Sequence, residues 1–266
     1  MTVETILQGE GWDKGWTQLL EMMGNAAAVT DRSFAVPDGV NNGQYGVGIV
    51  IDFFGLAGKY SGFPVDFVYP SMTSVVPANI ALIAGGKNPD EAKKFMAFSM
   101  STEGQQLLFD PKISRLPILP YSQLKAPAGY ADPQEFAKRA KVQFDANLSE
   151  ARYQVVTSLF DQMVTFRLKE LQGATKAIQD AEKALKAKPN ARGSDLFKQA
   201  RALAYTPLVG AENVKNEQFL ELFRKSRRDV EVSKQLSGQE QLWANKAREN
   251  YARAQQLATE ARGLAK

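Results

Sequence analysis

Short apolar runs that carry almost no charge, each bounded by glycine or proline, constrain the first 120 residues more than any other feature. The clearest is "GVGIVIDFFG" at 46–55, where a nearly continuous apolar run ends on one carboxylate, Asp52, followed by two phenylalanines and a glycine. Runs of this length are typical of buried strands, and helical patterns between them are typical of α/β domains. We therefore predict strands at 45–51, 64–69 and 76–84.

Helices with recognisable start signals separate these runs. Asn88 precedes a proline and two acids, which is the pattern of a capped helix start, and Ser101 starts a second, short helix. Another helix is expected around 34–42. Trp12 and Trp16 are four residues apart, so we expect them to share one buried helical face instead of forming a stacking platform.

The sequence becomes helical from about residue 127. Asp132 caps one predicted helix, and Ser149 caps a long one that ends near Pro189. Gly238 is expected to interrupt the helical pattern near the carboxyl terminus. Further helices are predicted at 194–204, within 208–236 and from 239 onward. The sequence thus divides into an α/β part, 1–126, and an all-helical extension, 127–266.

The composition excludes most catalytic chemistry. The 266 residues include 0 Cys and 0 His, so thiol nucleophiles, disulfides, imidazole acid–base catalysis and the usual zinc sites are unavailable. The sequence has no G-x-S-x-G, no G-x-x-x-x-G-K-[ST] and no G-x-G-x-x-G motif. We therefore predict a protein that is not an enzyme and has no cofactor or resident metal.

The charge is distributed unevenly along the chain. The net charge of +4 combines an acidic first part with a basic helical part. Such polarity is one signature of nucleic-acid or membrane contact. In the helical part, however, Lys and Arg alternate with Glu and Asp, which is typical of a solvated helical surface. We therefore predict no nucleic-acid partner.

Several motifs in the first part occur in the order of a known family. The stretches "SFAVPDGVNNGQYGVGIVIDFF", "PVDFVYPSMTSVVPANIALIAGGKNPDEAKKFMAFSMSTEGQQLL" and "RLPILP" resemble bacterial periplasmic solute-binding proteins of ABC transporters, of the type 2 fold and the ferric-iron, phosphonate and sugar-phosphate branch. The stretch "FDANLSEARYQVVTSLFDQMVTFRLKEL" resembles the helical region of phosphoglycerate transport regulatory proteins.

The resemblance carries implications for architecture and location. It implies a periplasmic protein whose partners are a transporter permease or a membrane sensor kinase. Because complete members begin with a signal peptide and a first lobe, it also implies that this chain is a truncated second half, with an incomplete type 2 lobe. A lone lobe offers half a site, so we expect weak ligand binding and self-association of the fragment.

The resemblance also gives Asp52 a role. Ligands of open α/β sheets collect beyond the carboxyl ends of strands, where Asp52 is predicted to lie. Ferric-binding relatives have paired tyrosines at the corresponding turn, whereas this chain has Phe53 and Phe54. A carboxylate beside aromatic rings suits sugar or polyol hydroxyls better than ferric iron. The alternative is that Asp52 only caps the following helix, and the two roles are compatible.

Two further groups of polar residues are candidate ligand contacts. Thr30, Arg32 and Ser33 precede a predicted helix, so they and the helix N–H groups are placed to bind a phosphate or carboxylate. The alternative for this group is an ordinary cap beside a solvated arginine. Ser71 and Thr73 are implied by the resemblance to face the cleft at the hinge, although such residues are also common in turns.

The sequence thus supports one main hypothesis and two alternatives. The main one is a solute-binding protein for a small phosphorylated or carboxylated metabolite in an ABC transport or ligand-sensing system. The first alternative is a helical interaction module that signals to a membrane partner such as a histidine kinase. The second is ferric-iron binding.

Overall fold

The fold is given by a computed structural model, which describes residues 1–225 and 227–265. These residues form twelve α-helices joined by turns, short 3-10 helices and irregular segments. In chain order the helices are α1 (Thr2–Glu10), α2 (Trp12–Met23), α3 (Ala35–Asn41), α4 (Asp52–Tyr60), α5 (Pro89–Ser99), α6 (Thr102–Gln106), α7 (Pro133–Arg139), α8 (Ala146–Met163), α9 (Leu168–Ala187), α10 (Ala191–Tyr205), α11 (Glu217–Arg224) and α12 (Val230–Leu264).

The chain packs as two compact units. Unit 1 comprises Met1–Val29 and Asp145–Lys266, and unit 2 comprises Thr30–Phe144. The change in sequence texture led us to predict one boundary, between 126 and 127. Packing groups the residues differently, because α1 and α2 lie against α8, α9 and α10 and therefore belong with the carboxyl-terminal helices.

Unit 1 is a helical bundle centred on α9, α10 and α12. Alanines repeat on one face of α12 and are almost fully buried, which lets the neighbouring helices approach closely. Larger apolar side chains fill the remaining core, among them Trp16, Leu20, Leu159, Leu171 and Ile178. Trp12 and Trp16 are both buried on α2, as predicted, and the Trp12 indole donates a hydrogen bond to the Val209 carbonyl oxygen at 2.7 Å.

The long helix predicted from Ser149 to Pro189 is two helices, so that prediction is wrong. The backbone leaves the α-helical conformation at Val164, whose φ is −120°, and a short 3-10 turn leads into α9. The Tyr251 hydroxyl donates to the Met163 carbonyl oxygen at 2.7 Å, so at this break a side chain, and not a helical N–H, satisfies that backbone carbonyl. The cap is also displaced, because the side chain of Asp145 accepts the Leu148 N–H.

The interruption predicted at Gly238 is also wrong. Helix α12 passes through Gly238 without a break and begins at Val230, where the Asp229 side chain accepts two backbone N–H groups. A glycine inside a helix costs only about 1 kcal/mol relative to alanine. The buried residues on both sides, from Leu236 to Ala261, offset that cost.

Unit 2 contains the short helices α3 to α7 and, in the described residues, no strand. Helix starts in this unit agree with the sequence at several points, since Ser101 caps α6 and Asp132 caps α7 through side-chain acceptors. Asn88 holds the cap position of α5, although its side chain makes no capping hydrogen bond.

The strands predicted at 45–51, 64–69 and 76–84 do not form, so the sheet of the predicted α/β lobe is not present in the described chain. A strand needs a neighbouring strand to satisfy its backbone, and these segments do not pair with one another. Their apolar side chains remain exposed as a result, including Val47 at 88% and Ile83 at 81%.

Two of the three glycines of "GVGIVIDFFG", Gly48 and Gly55, are explained by close packing instead of strand geometry. A Cβ atom at Gly55 would lie 2.0 Å from the Phe67 ring, and one at Gly48 would lie 2.6 Å from a methyl group of Val36. Only glycine fits at such contacts. These two positions therefore bring α4 against residues 64–69 and bring the segment before α4 against α3.

Candidate functional site

Asp52 occupies the first position of α4 and carries two hydrogen bonds. Its Oδ1 accepts from the Phe53 N–H at 2.8 Å, and its Oδ2 accepts from the Tyr69 hydroxyl at 3.1 Å. Ile51, with extended backbone, holds the cap position itself. The carboxylate is favourably placed at the positive end of the helix, and it keeps lone pairs that a ligand hydroxyl can use.

Arg115 adds a positive charge to the site that contains the Asp52 carboxylate. Its guanidinium carbon lies 3.4 Å from the centre of the Phe53 ring, and its Nη1 donates to the Ile113 carbonyl oxygen at 2.6 Å. Within the described residues no carboxylate forms an ion pair with Arg115 inside 4.0 Å. The other guanidinium N–H groups are thus available to a phosphate or carboxylate, which arginine binds through two parallel hydrogen bonds.

A frame of stacked aromatic rings surrounds Asp52 and Arg115. Tyr69 stacks on Phe136 with centroids 4.1 Å apart, and Tyr60 stacks on Tyr130 at 4.3 Å. Phe136 and Tyr130 are buried, whereas Asp52 and Arg115 are only half-buried. The stacked rings therefore lie mostly in the interior of this unit, while the two charged groups remain partly accessible to solvent.

The tyrosines in and beside this frame have pKa values above the ordinary value of a phenol. Burial raises the pKa of Tyr69, and the Asp52 carboxylate raises it further. Burial likewise raises the pKa of Tyr121, and it raises the pKa of Tyr130 to about 12. At neutral pH these groups are hydroxyl donors and not phenolates. Burial lowers the pKa of Arg115, but an arginine stays charged at any physiological pH.

Thr30, Arg32 and Ser33 lie on one segment before α3, and the hydrogen bond and the ion pair found there are local. The Thr30 hydroxyl donates to the Arg32 carbonyl oxygen at 3.0 Å, and the exposed Arg32 faces Asp31 at 4.0 Å. Phe34, not Ser33, holds the cap position of α3. No hydrogen bond or ion pair in the described chain joins these residues to Asp52.

Ser71 and Thr73 lie on the segment after Tyr69. Ser71 is exposed, and its carbonyl oxygen accepts the Lys141 N–H at 3.4 Å. Thr73 is half-buried. The structure thus brings Asp52 and Phe53 together with Tyr69 and Arg115, and among the described residues no hydrogen bond or ion pair links the other predicted residues to that cluster.

Sequence reasoning did not assign a role to Tyr69 or Arg115. Both lie in the motifs that carry the family resemblance, "PVDFVYPS" and "RLPILP". The available signal was an arginine two residues before a proline, in the family motif "RLPILP". Its partner Phe53 is 62 positions away, and such a distance in sequence cannot be bridged without a fold.

Groups of acidic residues that could hold a metal ion are absent from the described part of the chain. None of its helices combines the length and the apolar composition that crossing a membrane requires. The cluster around Asp52 therefore offers one guanidinium, one carboxylate, neutral hydroxyls and aromatic faces.

Comparison with known proteins gives one family and two named relatives. The phosphoglycerate transport regulatory proteins PgtC of Salmonella typhimurium and of Salmonella typhi are each 31% identical to this chain over 224 residues, which is 84% of the chain. The aligned region is 53% of each relative, so the chain spans about half their length. No solved structure matches the chain significantly.

The family match covers the site. The pattern of the family described as bacterial extracellular solute-binding protein matches residues 2–138, which include Asp52, Tyr69 and Arg115. That region is more than half of the chain, and the family motifs recognised in the sequence lie within it. This chain belongs to the bacterial extracellular solute-binding protein family.

Proposed function

We propose that this chain binds a small phosphorylated or carboxylated metabolite for an ABC transport or ligand-sensing system in the periplasm. The observation that carries the proposal is Arg115, whose guanidinium carbon lies over the Phe53 ring and which forms no ion pair with a carboxylate within 4.0 Å among the described residues. Its free N–H groups match the oxygen spacing of a phosphate or carboxylate. The family membership and the name of the two relatives support the same class of ligand.

Asp52 and Tyr69 are proposed to recognise the hydroxyl groups of the ligand. The Asp52 carboxylate accepts ligand hydroxyls, and the Tyr69 hydroxyl holds that carboxylate in place. A site with one cation and one carboxylate favours a ligand with an acidic group and a hydroxyl group near each other. Binding is the role we assign, because the carboxylate is engaged by two donors and the chain has no thiol or imidazole to act as nucleophile or base.

Calorimetric titration of the chain tests this proposal. The ligands are 2- and 3-phosphoglycerate, hexose phosphates, unphosphorylated glycerate and ferric iron. We expect binding of phosphorylated compounds that Arg115→Ala weakens by about tenfold or more, the range for hydrogen bonds to a charged group. Lys112→Ala is the matched control, because it removes an exposed positive charge three residues away. Tight ferric-iron binding without affinity for phosphorylated compounds would refute the proposal.

A second candidate function follows from unit 1. This helical unit has its own continuous core, so it meets the basic requirement of an interaction module for a permease or a membrane sensor kinase. Association of the chain with the extracellular domain of a sensor kinase, measured by light scattering, tests this role. It is supported if association persists in Arg115→Ala, and it is refuted if no association occurs with or without ligand.

A further inference from the structure

We propose that the turn from Asp110 to Ser114 positions Arg115 for ligand binding, and that Ser114 is its key positioning residue. This inference rests on the function proposed above. It concerns how the guanidinium is held and not whether it contacts the ligand.

The turn is fixed by a dense set of local hydrogen bonds. The Asp110 carbonyl oxygen accepts the N–H groups of Ile113 and Ser114, both at 2.8 Å, and the Asp110 carboxylate accepts the Lys112 N–H at 2.8 Å. The Ser114 hydroxyl donates to the Pro111 carbonyl oxygen at 2.9 Å. The turn therefore has one well-defined backbone conformation.

Ser114 has the one left-handed backbone conformation among the described residues other than glycine. Its φ is 47°, and the residue is fully buried. Non-glycine residues avoid this region because the Cβ atom approaches the backbone, so the surrounding bonds must hold Ser114 there. β-branched residues tolerate this region least. The conformation reverses the chain direction immediately before Arg115.

That reversal fixes Arg115 at several atoms. Its N–H donates to the Leu108 carbonyl oxygen at 2.9 Å, and its carbonyl oxygen accepts the Tyr130 hydroxyl at 3.4 Å. The guanidinium in turn donates to Ile113, a residue of the same turn. The turn thus fixes the backbone of Arg115, and its Ile113 carbonyl oxygen also holds the guanidinium. Together these contacts place the guanidinium over the Phe53 ring.

The test uses inorganic phosphate as the probe and valine and glycine at position 114. Valine is β-branched and resists positive φ, so we expect Ser114→Val to weaken phosphate binding about tenfold or more. Glycine accepts positive φ, so Ser114→Gly should stay within about threefold of the original affinity, although it lowers the melting temperature. Ser61→Val is the matched control, because Ser61 is exposed with an ordinary φ of −87°.

A double-mutant cycle separates positioning from general destabilisation. If Ser114 acts through Arg115, Ser114→Val has no further effect on phosphate affinity in the Arg115→Ala background. Equal loss in both backgrounds would overturn the inference. If Ser114→Val does not fold, Asp110→Ala loosens the same turn and is expected to weaken phosphate binding only where Arg115 is present. If the single variant Arg115→Ala binds phosphate with unchanged affinity, the proposed function is refuted. If Arg115→Ala loses affinity but the turn variants do not, only this inference is refuted.

Discussion

The Asp52 carboxylate contacts both the first turn of a helix and a tyrosine of the candidate site. Its Oδ1 accepts a backbone N–H of α4, while Oδ2 is directed to Tyr69. The place of this carboxylate at the start of a helix could be predicted because the apolar run and the acid that follows it are local in sequence, whereas its binding role stays a prediction. The contact of Arg115 with Phe53 could not be predicted, because it depends on a turn that brings residues 110–115 back to α4.

Replacing Asp52 by asparagine tests the binding role of the carboxylate. We expect Asp52→Asn to weaken binding of a hydroxylated ligand by about 1.5 to 3 kcal/mol, with little change in stability. Asp66→Asn is the control, because Asp66 also accepts the N–H of the next residue but is exposed. Calorimetry and thermal unfolding distinguish the roles, and a loss of stability at unchanged affinity would leave Asp52 only as a helix-start residue.

Glu240 makes part of the stability of unit 1 depend on pH. Its hydrogen bond to Arg227 lowers the pKa of Glu240 most strongly, and the Ser158 hydroxyl lowers it further. A depressed pKa in the folded state means that the stabilisation is present above the ordinary carboxyl pKa of about 4.3. It is lost as the pH falls through the lower folded-state value.

We therefore expect Glu240→Gln to lower the free energy of unfolding by about 1 kcal/mol at pH 7, since Arg227 is half exposed and the pair is partly screened. At pH 3, below the ordinary carboxyl pKa, the difference between the variant and the original chain should be smaller. Urea unfolding at the two pH values measures this, with Glu217→Gln at an exposed ion pair as the control. A difference that is equal at both pH values would contradict the argument.

At the level of helices, a buried ion pair joins α1 to α8. Glu4 accepts two hydrogen bonds from Arg152, at 2.8 Å each, and both side chains are more than 90% buried. Gln8 reinforces the junction through two hydrogen bonds with the backbone of Asp145, the residue at which the chain enters unit 1 again. Sequence patterns can predict individual helices, but they cannot show that Glu4 and Arg152, 148 residues apart, form an ion pair.

The Glu4–Arg152 pair predicts a specific pattern of stabilities. Glu4→Leu alone or Arg152→Leu alone should lower the free energy of unfolding by about 3 to 5 kcal/mol, because each leaves a buried charge without its partner. The double variant should recover most of that loss, since two apolar side chains can replace the pair. Urea unfolding measures all three variants, and additive losses in the double variant would show that the two residues do not act together.

At the scale of the whole molecule, the sequence predicted helices better than strands. Helix periodicity and caps are local, and they correctly identified α5, α6, α7 and α10. Sheet formation depends on pairing between distant segments, and the apolar pattern alone does not supply a partner. The segments predicted as strands therefore remain unpaired and apolar in unit 2.

These exposed segments predict self-association. Val68 is 76% exposed and Ile83 is 81% exposed, and apolar segments with unpaired backbone groups favour contact with another chain. Sedimentation of the chain over a range of concentrations should show reversible dimers or larger species, and Val68→Lys or Ile83→Lys should reduce them. Val230→Lys is the control at an equally exposed valine in unit 1. A monomer at every concentration would disprove the prediction.

The central claim, that Arg115 binds the acidic group of the ligand, is tested most directly by nuclear magnetic resonance of the arginine side chains. The Arg115 Nε–Hε signal is assigned by its loss in Arg115→Ala, and the chain is then titrated with 3-phosphoglycerate. We predict that this signal shifts progressively and saturates, while the signal of the exposed Arg32 stays in place. Saturable binding that leaves the Arg115 signal unmoved would contradict the account.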